Sequence, residues 1–356
     1  MSEKLLTIVI PVKDSEALLD KCLESFIYED GLLDERLQLI IADYGSSDNT
    51  LAAANEWAER FPESILVSGP LSGGHGSAIN TGLKAAEGKY FKVADPDGRA
   101  ITANLVSVLD ELEDTDTDVV VTGYNLINMQ GNSTPFGTGQ QPMPTEEQIK
   151  QFGPGYATLG CFGFKEVTLE ELLQNSRNVP AAQNFQGLMY NTEFLKDIGV
   201  KFSENIFFEV QEYALKPFAQ VESLRIMPYF LYEFNTETNN DEEVFSKYAE
   251  HSDDFLKMVE SISEYHKSVG FFQWANEEFF DWRLSNIGLS YYSTLLITGT
   301  DKEMGIRLAD EFRTHFLEWE PEAAERCEKK YKNMSKVAGS KLTGKLYEGL
   351  FKLKKR

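Results

Sequence analysis

The chain has 356 residues, with 34 Lys+Arg against 57 Asp+Glu and a formal charge of −23. Such a surface repels a phosphate backbone, which excludes a general nucleic-acid binder. Apolar residues make up 42% and aromatics 12%, so disorder is excluded and a sizeable core is expected.

Cys22, Cys161 and Cys327 form no CxxC pair. A structural zinc site or a disulfide framework is therefore not expected, and a reducing cytoplasm fits. No apolar run reaches the roughly 18 residues of a membrane-spanning helix. The run Leu5 to Val12 is too short for a signal peptide. A soluble, cytoplasmic protein is expected.

The first 125 residues alternate between two periods. Leu5–Pro11 is a continuous apolar run and reads as a buried parallel strand. Ser15–Tyr28 carries Leu18, Leu19, Cys22, Leu23, Phe26 and Ile27 on one helical face, with Asp14 or Ser15 as its N-cap. Leu37–Ala42 is a second strand and Asp48–Phe61 a second helix. Ile65–Ser68 is a short strand, and a Gly-rich loop opens a helix over Gly76–Ala86. Tyr90–Ala94, Thr102–Leu112 and Val119–Gly123 continue as strand, helix, strand. This order predicts an α/β fold with a mostly parallel sheet and helices on both faces. Ligands of such sheets bind beyond the carboxyl ends of the strands.

From Asn128 to about Gly163 the pattern breaks into a long segment rich in Gly, Pro, Gln, Ser and Thr, a length that usually marks function or mobility. Val167–Gln174 resumes helical spacing. Short apolar segments alternate with turns from Asn184 to Phe234, and helical composition takes over from Asp241. The aromatics between Phe271 and Tyr292 read as core, and His251, His266 and His315 as surface. Residues 326–356 carry 11 basic residues against 2 acids, a net of +9, while residues 1–325 carry −32. Leu342, Leu346, Leu350, Phe351 and Leu353 give this tail an amphipathic pattern. It reads either as a solvated tail docking on the acidic body or as a peripheral contact to anionic lipid headgroups.

Four strand ends carry small or acidic residues. They are Pro11-Val12-Lys13-Asp14, Asp43 to Thr50, the loop Ser72 to Asn80, and Asp95-Pro96-Asp97. Two carboxylates spaced Asp-x-Asp suit a divalent cation. A Gly-rich loop running into a helix N-terminus suits a diphosphate. Metal and diphosphate together describe a nucleotide-sugar site.

The segments IVIPVKD, LIIADYGSSDNT and GGHGSAINTGLKAAEGKYFKVADPD, in this order over Leu5 to Gly98, resemble the family 2 glycosyltransferases of GT-A fold. The resemblance extends loosely to about Phe234. It divides the chain into a GT-A domain over 1–235, with a nucleotide-binding part at 1–98 and an acceptor part at 99–235, and a helical region over 236–356. It implies an inverting transferase that moves a sugar from a nucleotide-diphosphate donor to a glycan or lipid-linked acceptor in bacterial surface-polymer synthesis. It implies that Pro11, Val12, Asp14, Asp43, Tyr44 and Ser46 surround the nucleoside. Gly74, His75, Asn80 and Asp95 would approach the diphosphate and sugar, and Asp97 with Asp95 would hold Mn²⁺ or Mg²⁺.

The departures from the family pattern are Tyr44, where a second acid is usual, Gly98 and Arg99 after the Asp-x-Asp, and Val210, where the base is usual. Glu209 and Glu212 flank Val210, and Glu212 is favoured over Glu209 as the base that deprotonates the acceptor. A non-catalytic partner protein with a degenerate site is the alternative.

Overall fold

The computed structural model describes residues 3–136, 165–175, 179–235 and 240–339. Most of the Gly- and Pro-rich connection, Cys161 and the patterned leucines of the basic tail lie outside these residues.

A ten-stranded sheet is the frame. Strand β1 (Leu6–Val12) is buried along its whole length. It pairs in parallel with β2 (Leu37–Asp43) on one side and β4 (Tyr90–Val93) on the other. The β1–β2 register runs from Leu6 opposite Leu37 to Val12 opposite Asp43, so these two carboxyl ends finish side by side. Strand β3 (Ile65–Ser68) extends the parallel ladder beyond β2.

Beyond β4 the sheet changes character. Strand β9 (Leu188–Asn191) inserts antiparallel between β4 and β6 (Val119–Ile127). Strand β10 (Leu224–Asn235) pairs in parallel with β6 and antiparallel with β5 (Arg99–Ala100) and β8 (Lys165–Val167). Strand β7 (Ser133–Phe136) returns along β6. The parallel character expected from the sequence holds for β1–β4, β6 and β10, and the remaining strands run against them. The order is β3-β2-β1-β4-β9-β6-β10-β5.

Helices α1 (Glu16–Glu24), α2 (Thr50–Arg60), α3 (Gly74–Ala85) and α4 (Thr102–Glu113) follow β1, β2, β3 and β5. Their apolar stripes cover the sheet because a strand buried on both faces needs a layer on each. Helix α3 lies close on β1: a Cβ at Gly82 would sit 2.4 Å from Val9 Cγ2. Short helices α5 (Leu169–Asn175), α6 (Thr192–Asp197) and α7 (Val210–Leu215) sit in the second half of the sheet region.

The expected helical region follows as α8 (Asp241–Glu250), α9 (Ser252–Val269), α10 (Trp274–Ser293), α11 (Lys302–Trp319) and α12 (Pro321–Ala338). It is tied to the sheet region through α10. Phe279 stacks on Phe218 at 4.3 Å, and Asn276 Nδ2 donates to the carbonyls of Phe218 and Val221 at 2.8 Å each. Phe279, Phe280, Tyr291 and Tyr292 are core, as their spacing predicts, but Phe272 and Trp274 are 49% and 59% exposed. They flank the start of α10, where the chain turns at the surface.

His266 departs from the surface expectation. It packs against Phe271 and Phe280, and its Nδ1 lies 3.2 Å from Glu320 Oε1. Burial pushes its imidazole down to about 4 and the Glu320 carboxyl up to about 7. The pair is therefore a contact of neutral groups at mildly acid pH rather than a salt bridge.

Candidate active site

The carboxyl ends of β1 and β2 form one wall. Asp43 is 1% exposed, and its Oδ1 accepts from the backbone N–H of Gly45 at 2.9 Å and Ser46 at 3.1 Å. It closes its own turn and caps no helix. Its Oδ2 is buried with no hydrogen-bond partner. An unsatisfied buried carboxylate oxygen is costly and commonly marks a place for a ligand donor.

Asp14, held at positive φ, accepts from Ser47 N and Oγ at 2.7 and 2.9 Å, and these bonds lower its carboxyl below the usual range. Asp14 N in turn donates to Ser46 Oγ at 3.0 Å. Pro11, Val12, Asp14, Asp43, Tyr44 and Ser46 thus lie together at this strand edge.

The Gly-rich loop forms the second wall. Gly73 at φ 129° and Gly74 at φ 73° turn the chain into α3. Gly76 lets the helix approach the segment before α7: a Cβ there would lie 2.0 Å from Ser203 O. This approach joins residues that sequence reasoning kept apart. His75 Nδ1 lies 2.5 Å from Glu209 Oε1, and its Nε2 lies 3.7 Å from Asp95 Oδ1. Burial alone would lower the imidazole pKa, but the two carboxylates outweigh it and raise it to about 9. His75 is therefore an imidazolium at neutral pH. It compensates Glu209, which is 2% exposed and whose Oε2 has no hydrogen-bond partner. Tyr44 meets the His75 ring edge-on at 5.8 Å.

Glu212 does not join this group. It is fully buried, and its Oε2 accepts from Lys216 Nζ and Ser203 N, both at 2.8 Å. Lys216 Nζ also donates to Lys201 O and Ser261 Oγ. The preference for Glu212 over Glu209 is corrected by this placement: the i, i+4 spacing to Lys216 on α7 turns Glu212 into an internal ion pair. Asn80 is also inward. Its Nδ2 donates to Phe202 O at 2.8 Å and its Oδ1 accepts from Phe202 N at 3.0 Å, so its amide holds the chain before α7.

At the third strand end, Tyr232 donates to Asp95 O at 3.2 Å, and Asn235 Nδ2 donates to Asp97 O. Gly98 has no room for a side chain, because a Cβ would lie 2.3 Å from Tyr232 Cε1. Arg99 turns to Glu233 at 2.5 Å. Among the described residues no group of three or more His, Cys, Asp and Glu side chains comes together to hold an ion. Asp95 and Asp97 are hard donors that fit a divalent cation only if diphosphate oxygens complete the shell. Sequence reasoning missed the His75–Glu209 pair, whose one signal was a lone histidine inside a Gly-rich loop. It also missed Lys92, buried in β4, which donates to Gln186 O at 2.6 Å.

Residues 7–173 match glycosyl transferase family 2. Among similar proteins, the minor teichoic acid biosynthesis protein GgaB of Bacillus subtilis is 27% identical over 127 residues, covering 36% of this chain and 14% of GgaB. The poly(ribitol-phosphate) beta-glucosyltransferase of Bacillus spizizenii is also 27% identical over 127 residues, covering 35% of this chain and 20% of its own length. The chain thus spans only a small part of these relatives. Among solved structures, S. aureus TarS 1–349 in complex with UDP-GlcNAc superposes with a TM-score of 0.50 at 15% identity, over 94% of this chain and 90% of that one. The fold is that of the GT-A glycosyltransferases. No helix among the described residues is long and apolar enough to cross a membrane.

Proposed function

We propose that the protein is an inverting glycosyltransferase that moves a sugar from a nucleotide-diphosphate donor to a glycan or lipid-linked acceptor in bacterial surface-polymer synthesis. The observation that carries this reading is the buried His75–Glu209 pair set beside the free Asp43 Oδ2, at the edge where a family 2 domain takes its donor. The teichoic-acid relatives supply the polymer class.

Asp43 Oδ2 accepts an N–H or hydroxyl of the nucleoside, with Tyr44 beside it. Glu209 Oε2 takes the proton of the acceptor hydroxyl. The hydroxyl oxygen then forms its bond to the anomeric carbon from the face opposite the diphosphate, whose carbon–oxygen bond breaks and whose oxygen keeps the electron pair. His75 holds Glu209 in position and balances its charge. Mn²⁺ or Mg²⁺ on Asp97 and Asp95 would supply charge neutralisation for the departing diphosphate.

A non-catalytic reading is favoured by the missing acids at Tyr44, Gly98 and Val210. The test separates the two. Calorimetric titration with nucleotide diphosphates and nucleotide sugars, with and without Mn²⁺, is followed by donor-hydrolysis and transfer assays of wild type and E209Q. Donor binding with activity lost in E209Q supports the enzyme. Donor binding with no turnover in wild type supports the non-catalytic reading. No binding across the nucleotide panel refutes the donor site.

A further inference from the structure

Between the turn that carries Glu209 and α10 lies a cavity of about 160 Å³ that no step above uses. Phe208 and Gln211, which flank Glu209 in sequence, line it from the sheet region. Asn184 lines it from the segment before β9, and Arg283, Asn286 and Ser290 from α10. Its most unusual member is Arg283, which is 5% exposed. One of its nitrogens, Nη2, donates to the carbonyl of Gln183, while Nε is buried with no hydrogen-bond partner. Among the described residues no carboxylate pairs with it, and the nearby polar groups are the hydroxyls of Tyr124 and Tyr190.

A buried guanidinium without a counter-ion costs several kcal/mol, of the order expected for one unpaired buried charge. Burial pushes its pKa down to about 10, so it stays charged at neutral pH. A fold retains such a group most economically where a ligand supplies the missing charge. The planar fork of arginine matches a tetrahedral oxyanion through paired N–H groups. The amides of Asn184, Gln211 and Asn286 and the hydroxyl of Ser290 surround it with further polar groups suited to an oxyanion and its attached hydroxyls. The acidic body makes a fixed internal cation all the more distinctive, since the chain carries −23 overall.

We propose that this cavity is an oxyanion subsite in which Arg283 binds a phosphate-class group of the acceptor, beside the residue that activates the acceptor hydroxyl. This inference rests on the glycosyltransferase reading above for the word acceptor, and on Arg283 for the anion. An acceptor carrying phosphodiesters would be held by one of them while a neighbouring hydroxyl reaches Glu209.

The test uses the full chain saturated with uridine diphosphate, so that the donor site takes no probe. Inorganic phosphate, glycerophosphoglycerol and uncharged glycerol are titrated by calorimetry into wild type, R283M and Q211L. Glycerophosphoglycerol is expected to bind wild type more tightly than inorganic phosphate, and glycerol not at all. R283M should lose at least tenfold in affinity for both anions with uridine diphosphate affinity unchanged. Q211L, which keeps the charge and fills the cavity, should weaken the diester more than inorganic phosphate. If R283M fails to fold, the Q211L comparison decides. Equal anion affinity in wild type and in a folded R283M would overturn the subsite. Inorganic phosphate binding with no preference for the diester would overturn the acceptor assignment. Silence across the nucleotide-diphosphate panel sinks the donor site alone, whereas equal anion affinities sink the subsite alone.

Discussion

Glu209 and Glu212 sit three residues apart on one turn, yet removing their charges should have different consequences for activity. Glu212 is fully buried and shares Oε2 between Lys216 Nζ and Ser203 N at 2.8 Å each. Glu212→Ala deletes both charge-assisted bonds and leaves the Lys216 ammonium, 4% exposed, with the Lys201 carbonyl, the Ser261 hydroxyl and the Tyr265 ring at 5.8 Å but no counter-charge. Breaking a buried pair from one side costs about 3–5 kcal/mol. Replacing both partners, as in E212L/K216M, removes the stranded charge and should recover most of that loss.

The assay is urea unfolding of wild type, E212A, K216M and the double variant, with transfer activity measured on each at a temperature where it remains folded. E212A should lose stability by this amount and keep activity in its folded fraction. E209Q should lose turnover even where it remains folded, and its stability should also fall, because His75 loses the nearer of its two carboxylates. An E212A protein of wild-type stability with no activity would refute the assignment of the two glutamates.

Stability should depend on pH through Glu320. Its carboxyl is raised from the ordinary 4.5 to about 7 in the folded state, chiefly by burial. The folded state therefore holds a proton that the unfolded state has released, and the stability that Glu320 contributes falls as pH rises from 4.5 through 7. Glu320→Gln should gain up to about 3 kcal/mol at pH 8.5 and nothing at pH 4, read from denaturant midpoints at the two pH values; an equal gain at both would contradict the shift. Restoring a family-like acid with Gly98→Asp should destabilise the protein by about 1–3 kcal/mol, because its Cβ collides with the Tyr232 ring; calorimetric unfolding checks this. Asp43→Ala should weaken nucleotide-diphosphate binding at least tenfold, about 1.4 kcal/mol, in the same titration that tests the donor site.

Much of the donor wall was legible in the sequence because its residues follow directly from strand ends. A continuous apolar run ending in Val12 and another ending in Asp43 must pair in parallel if both are buried on two faces, and their ends then meet. The Gly-rich loop announces a tight entry to a helix by composition alone. The motifs at Leu5 to Gly98 are local, and local signals survive without coordinates.

The contacts around Glu209 were not legible for the opposite reason. Asn80 is a helix residue whose amide is taken up by Phe202, across a long stretch of chain. Glu209 and Glu212 have the same chemistry and neighbouring positions. Only the Lys216 ammonium behind one and the His75 imidazolium in front of the other tell them apart. Arg283 reads as an ordinary charged position on an amphipathic helix until α10 is buried on nearly every side.

By itself the sequence determined the class of fold, the resemblance of its first part to the family 2 glycosyltransferases and the strand ends that meet at one edge. Those properties follow from composition, periodicity and short-range motifs. Tertiary structure decided which carboxylate meets His75 and which meets Lys216, which histidine carries a proton, and where one arginine is left without a counter-ion. Each of these depends on desolvation and on contacts between distant segments, and neither is a property of a residue's neighbours along the chain.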